Sequence, residues 1–79
     1  MYFVYILQCS DNSLYTGITT NVGRRFAEHR AGIGAKYTRG RKPEKVVYQQ
    51  KFRNRSNAQK REAEIKSWPR SQKLTLINV

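Results

Sequence analysis

The chain has 79 residues and one cysteine, so it is long enough for one small domain over residues 1–79 and cannot form an internal disulfide. Sixteen lysines and arginines against five acidic residues give a formal net charge of +11. Such a field attracts polyanions, so we expect nucleic acid as the partner rather than a membrane surface. No signal peptide is visible and no apolar run approaches the ~20 residues of a membrane span, which predicts a cytoplasmic, nucleoid-associated protein.

The first two predicted elements are strands. Residues 2–9 are β-branched or aromatic and apolar on both faces for most of their length, which predicts a central strand. Residues 10–13 have turn composition and residues 14–18 predict a second strand, so the two strands would form a hairpin. Gly17 lies inside the second strand, which indicates that another backbone or a ligand comes close there.

A helix is predicted next. Asn21 is a good N-cap, and the helix would run to about Ala31, with Gly32 directly after its end. Arg25 and His29 are four residues apart in this helix and therefore share one of its faces.

Residues 32–43 predict a mobile, basic loop. Its cations can pair with phosphates, and an aromatic ring can stack on a base. The candidate nucleic-acid contacts lie in this loop, apart from one residue before it and one after it. They are Arg24, Lys36, Tyr37, Arg39, Arg41, Lys42 and Lys66. For Tyr37, packing within the loop is an equal alternative; for Lys66, an ion pair with Glu62 one helical turn earlier is slightly favoured.

The remaining sequence predicts a strand and two helices. Residues 44–52 predict a third strand, which largely alternates between apolar and polar residues after Val47. Ser56 begins a capping-box pattern, so a helix would start there and run to about Trp68, where Pro69 stops it. Ser71 would cap a short final helix.

One acidic residue falls where the helix after Ser56 should be apolar. Ala58, Ile65 and Trp68 define the inward stripe of that helix, and Glu62 belongs to the same stripe. An inward carboxylate is costly without a partner, which could be a metal ion or an arginine. The five acids form no evident cluster for a two-metal site, but Mg²⁺ accepts one carboxylate when water and phosphate oxygens fill its other positions.

Two tripeptides, one ending at Tyr5 and one beginning at Tyr15, resemble the motifs of the GIY-YIG nuclease superfamily. Further along the chain, the spacings also match that superfamily at Arg25, His29 and Glu62. The resemblance extends over essentially the whole chain, although Phe3 replaces the first glycine of the motif. The runs at 34–39 and 61–66 are most similar to the small stand-alone bacterial members. The resemblance implies an α+β fold, with a three-stranded antiparallel sheet flanked by helices in the order β-β-α-β-α-α, which agrees with the elements predicted above.

The resemblance also implies metal-dependent hydrolysis of phosphodiester bonds, for which we expect DNA in repair or processing and one Mg²⁺ or Mn²⁺ ion. It implies that Glu62 is the metal ligand and that Arg25 neutralises charge on the phosphoryl oxygens. We favour Tyr5 as the base that takes a proton from the attacking water, with Tyr15 positioning the water or phosphate; the reverse assignment stays open. His29 would either link Tyr15 to phosphate or satisfy a loop carbonyl.

The alternative function is a nucleic-acid-binding module that keeps the fold without turnover. Both functions predict binding that weakens steeply with salt. They differ at Glu62, because a module that only binds phosphates gains nothing from an inward carboxylate that repels them. Superfamily enzymes with defined targets usually carry further DNA-binding domains, so a protein partner that supplies target specificity fits this chain.

Overall fold

A computed structural model describes residues 1–34 and 36–77, apart from the side chains of Tyr37 and Arg39. The elements run β1 Tyr2–Cys9, β2 Leu14–Thr19, α1 Val22–Arg30, α2 Lys36–Arg39, β3 Pro43–Phe52, α3 Arg55–Lys66 and α4 Arg70–Ile77. The antiparallel sheet has the order β2-β1-β3, so β1 is central and the predicted fold class is confirmed. Among the described residues, no helix is both long and apolar enough to cross a bilayer.

One face of the sheet carries an apolar core. Successive side chains of a strand point to opposite faces, so Val4 and Ile6 of β1 share a face. There they are fully buried against Ala58 and Ile65 of α3. Residues of α4, of both outer strands and of the α3–α4 connection pack around this cluster, among them Leu14, Ile18, Trp68, Leu76 and Ile77. We call this side of the sheet the apolar face.

The opposite face, which we call the polar face, buries hydrogen-bonding groups. Tyr5 and Leu7 point to this side of β1 and are no more than 1% exposed. His29 from the last turn of α1 and Thr38 from α2 are each 1% exposed as well. The sheet therefore lies between α1 and α2 on the polar face and α3 and α4 on the apolar face.

The helix ends only partly match the sequence. Asn21 caps α1 as predicted, because its side-chain oxygen accepts the N–H of Arg24 at 3.0 Å. The prediction that Ser56 caps α3 is wrong: Asn54 is extended and accepts the N–H of Asn57 at 2.8 Å. Because the cap lies two residues earlier, Ser56 falls inside the first turn of α3.

The predicted loop between α1 and β3 is also more ordered than expected. It contains the single helical turn α2, and its end is held against the β1–β2 turn. The Arg41 guanidinium pairs with the Asp11 carboxylate at 2.9 Å, and the backbone N–H of Ser10 donates to the Arg41 carbonyl at 3.1 Å. These contacts attach the end of the basic segment to the turn between the first two strands.

Candidate active site

Three aromatic rings meet on the polar face. Tyr5 comes from β1, Tyr15 from β2 and His29 from the last turn of α1. The ring centroids are 6.3 Å apart for the two tyrosines, 6.0 Å for Tyr5 and His29, and 5.1 Å for Tyr15 and His29. The structure therefore brings together three side chains that the sequence singled out, although 24 residues separate Tyr5 from His29.

A buried chain of hydrogen bonds runs through this cluster. The Tyr5 hydroxyl lies 2.9 Å from Nε2 of His29, and Nδ1 of His29 lies 2.7 Å from the Thr38 hydroxyl. Among the described residues, both ring nitrogens of His29 lie at hydrogen-bonding distance from side-chain hydroxyls, and the ring is 1% exposed. Its partners are the hydroxyls of Tyr5 and Thr38.

The surroundings of Tyr5 and His29 fix the protonation states of these two side chains near neutral pH. Burial raises the pKa of Tyr5 to about 12; the charges of Tyr15 and Glu62 add to this rise, and the Arg25 guanidinium opposes it. Burial, with the nearby Arg25 charge, lowers the pKa of His29, whereas Glu28 acts in the opposite direction. Tyr5 therefore keeps its proton at neutral pH, and His29 is a neutral imidazole with one donor and one acceptor nitrogen.

Arg25 adds a cation at the edge of the ring cluster. Its guanidinium pairs with the Glu28 carboxylate at 3.0 Å within α1, and its side chain is 32% exposed. The hydrogen bond to Glu28, with a further contribution from Tyr5, raises the pKa of Arg25. A guanidinium has five N–H donors, so pairing with Glu28 leaves donors that can face a phosphate.

Glu62 approaches from the other side of the sheet. It lies in α3, which packs against β1 and the edge strand β2, and its side chain is 19% exposed. In the structure the carboxylate of Glu62 pairs with the Lys66 ammonium, 3.2 Å away, which is the ion pair that the sequence slightly favoured for Lys66. Its negative charge is close enough to contribute to the raised pKa of Tyr5.

Glu62 is the side chain that could hold one hard cation. Among the described residues, no three His, Cys, Asp or Glu side chains are grouped as a protein-only metal cage. Mg²⁺ needs no such cage, since one carboxylate, waters and substrate phosphates satisfy it. A carboxylate has about four lone-pair positions, so the pair with Lys66 leaves room for an ion.

Two glycines make room for the rings. A Cβ atom on Gly17 would lie 2.5 Å from the Tyr5 hydroxyl oxygen, so the close approach predicted there is made by the Tyr5 ring rather than by a backbone or ligand. A Cβ atom on Gly34 would overlap the imidazole of His29. The sequence did not single out Gly34 or Thr38 individually; the one signal was that both belong to the run at 34–39.

Comparison with known proteins gives this arrangement a family. The model of the GIY-YIG catalytic domain matches residues 1–75. The chain belongs to the GIY-YIG family. The predicted recognition is thereby confirmed, and with it a nuclease superfamily whose members act on nucleic acid.

Relatives of this GIY-YIG domain are small proteins of similar length. A UPF0213 protein of Staphylococcus haemolyticus is 57% identical over 76 residues, spanning 96% of this chain and 93% of the relative. A UPF0213 protein of Natronomonas pharaonis is 55% identical over 76 residues, spanning 96% of this chain and 89% of the relative. The solution NMR structure of a UPF0213 protein from Bacillus halodurans has a TM-score of 0.63 at 46% identity, covering 99% of this chain and 84% of that one.

The predicted nucleic-acid contacts of the GIY-YIG domain fall into three groups. Arg24, Lys36 and Lys42 are exposed, whereas Arg41 and Lys66 are exposed but already paired with Asp11 and Glu62. The side chains of Tyr37 and Arg39 lie outside the described part of the structure. Lys36 and Arg41 line an open depression of about 580 Å³, together with Asp11 and Gly40. This depression lies where the β1–β2 turn meets the segment after α2.

Proposed function

We propose that this GIY-YIG domain is a metal-dependent endonuclease that hydrolyses phosphodiester bonds, with DNA in repair or processing as its substrate. It would act in the cytoplasm, at the nucleoid. The observation that carries the proposal is the buried Tyr5–His29 pair beside the half-exposed Tyr15 and Arg25. Burying polar groups costs free energy, and a surface that only attracts phosphates has no use for such a pair.

In this proposal Tyr15, not Tyr5, faces the attacking water. The sequence favoured Tyr5 as the base, but its hydroxyl is buried, bonded to His29 and held protonated by a pKa of about 12. A group that cannot meet water or release its proton is a poor base at neutral pH. Tyr15 is half-buried and its ring packs on His29, which supports the reverse assignment that the sequence left open.

Arg25 supplies the positive charge in the proposed reaction. Its guanidinium is held by Glu28 and lies beside Tyr5, so it is oriented before substrate arrives. Donors fixed in advance stabilise charge that develops on phosphoryl oxygens, because nothing has to reorganise during the reaction. Glu62 would hold the Mg²⁺ or Mn²⁺ ion. When bound, such an ion neutralises phosphate charge and stabilises the leaving oxygen.

A nucleic-acid-binding module without turnover is the alternative function. One observation favours it: Lys66 already neutralises Glu62, so the carboxylate has a structural role without any metal. Either function suits exposed cations such as Arg24, Lys36 and Lys42 on a chain of net charge +11. A protein partner that directs the domain to its target is compatible with both.

The decisive experiment compares the wild type with Glu62→Gln and a matched control, Glu64→Gln. Glu64 lies in the same helix but is 54% exposed and pairs with Arg61. Each protein receives labelled duplex, single-stranded and branched DNA, and RNA, with Mg²⁺, Mn²⁺ or EDTA. We expect the wild type and Glu64→Gln to cleave DNA only with metal, and Glu62→Gln to be at least ~100-fold slower.

Binding assays on the same three proteins separate the two functions. If none cleaves any substrate and Glu62→Gln binds as tightly as the wild type or more tightly, the binding module replaces the nuclease. Cleavage of equal rate by all three proteins would remove Glu62 from the reaction.

A further inference from the structure

The polar face contains one buried contact that the proposed reaction does not yet use. Thr38, from the single turn α2, is 1% exposed and its hydroxyl oxygen lies 2.7 Å from Nδ1 of His29. We propose that Thr38 is a positioning residue that fixes the tautomer and orientation of His29, and through His29 the orientation of the Tyr5 hydroxyl. This inference rests on the proposed nuclease function for its catalytic consequence, but not for its structural test.

The direction of the hydrogen bonds follows from the Tyr5 hydroxyl. Among the described residues, Nε2 of His29 is the acceptor at hydrogen-bonding distance from this hydroxyl, and the nearby Arg25 can only donate. A buried O–H without an acceptor is costly, so Tyr5 donates to Nε2. The proton of the neutral imidazole is then on Nδ1, and that N–H donates to the oxygen of Thr38. Thr38 therefore supplies the acceptor that the Nδ1–H tautomer requires.

The packing around the ring leaves His29 little freedom to find another partner. Gly34 lies so close to the imidazole that even a methyl group there would overlap it. Tyr5 and Tyr15 pack against the ring from the sheet. If the Thr38 oxygen is removed, a buried N–H loses its acceptor, and the ring lowers its energy by moving the proton to Nε2. The Tyr5 hydroxyl then has to turn away.

The same contact joins the basic surface to the reaction centre. Lys36 stands two residues before Thr38 in α2 and lines the open depression with Arg41. One helical turn is too short to be stable in isolation, so α2 depends on its tertiary contacts, of which the bond to His29 is one. Thr38 thus connects a segment that would touch substrate phosphates with the hydroxyl of Tyr5.

The test uses the fact that His29 is the only histidine in the chain. Its two ring nitrogens can be followed by ¹⁵N-detected long-range NMR correlation in the wild type, Thr38→Val and Thr38→Ser. Valine keeps the shape without the oxygen, and serine keeps the oxygen. We expect the Nδ1–H tautomer in the wild type and in Thr38→Ser, and a shift of the proton towards Nε2 in Thr38→Val. A wild-type protein in the Nε2–H tautomer would overturn the inference without any variant having to fold.

Single-turnover cleavage at saturating Mg²⁺ supplies the second readout. We expect Thr38→Val to slow the chemical step by about 10- to 100-fold, as loss of a group that orients a functional histidine commonly does, with Thr38→Ser close to the wild type. Unchanged tautomer and rate in a folded Thr38→Val would overturn the role of Thr38 while the nuclease function stands. A wild type without cleavage would remove the nuclease function, and the NMR result would still decide the tautomer.

Discussion

The two faces of the sheet are held by different interactions, although neighbouring residues of the same strand contribute to both. Val4 and Ile6 point to the apolar face and pack against Ala58 and Ile65. Tyr5, between them, points to the polar face and bonds His29. A buried hydrocarbon group stabilises wherever it fits, whereas a buried hydroxyl or imidazole stabilises only when its partner is in place.

This difference assigns stability mainly to one face and chemistry to the other. The apolar face tolerates small shifts, because hydrophobic contact is not directional. The polar face depends on three groups at hydrogen-bonding distance and on two glycines that make room for them. We therefore expect changes on the apolar face to alter the free energy of unfolding, and changes on the polar face to alter protonation states and rates as well.

The largest effect on stability is expected on the apolar face. Ile65→Ala should lower the free energy of unfolding by ~2–5 kcal/mol, because Ile65 is fully buried and the substitution leaves a cavity. The control Ile33→Ala, at a side chain 70% exposed, should change it by less than ~0.5 kcal/mol. Urea unfolding measures the change in the free energy of unfolding for both variants. If folded Ile65→Ala changes the His29 tautomer, the separation between the faces fails.

An intermediate effect on stability is expected from a substitution at Gly17. Gly17→Ala places a methyl group 2.5 Å from the Tyr5 hydroxyl oxygen, so Tyr5 must move and the chain should lose ~1–3 kcal/mol. Gly23→Ala is the matched control, since the nearest atom to its new methyl group is 3.7 Å away and alanine favours the helix. Its stability should be equal to the wild type or higher. Equal urea midpoints for the two variants would contradict the close approach at Gly17.

The smallest effect on stability is expected from a change of pH, which should act only through the polar face. Burial lowers the pKa of His29 in the folded chain, so below its ordinary value of about 6.5 the unfolded chain takes up the proton first. The full contribution of neutral His29 to the free energy of unfolding should be present above that pH. It should be lost progressively as the pH drops towards the lowered pKa of His29 in the folded chain. Urea midpoints between roughly pH 7.5 and 5 would measure the fall. His29→Gln should be flat over this range, and an equal slope in both proteins would exclude His29 as the cause.

Elements whose pattern is local could be predicted from the sequence. The strand at Tyr2–Cys9 and the Asn21 cap of α1 agree with the structure, because β-branched runs and short-range capping leave few alternatives. The cap of α3 was misplaced because Asn54 and Ser56 are both good capping residues. Which of them caps depends on where the chain leaves β3, and this is decided by sheet pairing rather than by the local sequence.

The candidate site was predictable in its members but not in their contacts. The structure brings Tyr5, Tyr15 and His29 together, but a threonine within a basic segment reads as a surface residue. Thr38 becomes buried only because α2 folds back over α1, a contact between segments with no shared periodicity. The proposed change of base from Tyr5 to Tyr15 has a related reason, because burial on the folded polar face raises the pKa of Tyr5 to about 12.

The pair between Arg25 and Glu28 has a consequence for the balance between affinity and rate. The negative charge of Glu28 offsets part of the positive charge of Arg25, so the pair weakens binding of the ground-state substrate. As charge accumulates on the phosphoryl oxygens, the donors that Glu28 leaves open interact with them more strongly. In the proposed reaction Glu28 therefore holds back part of the attraction of Arg25 until the transition state, which favours turnover over tight binding to intact nucleic acid.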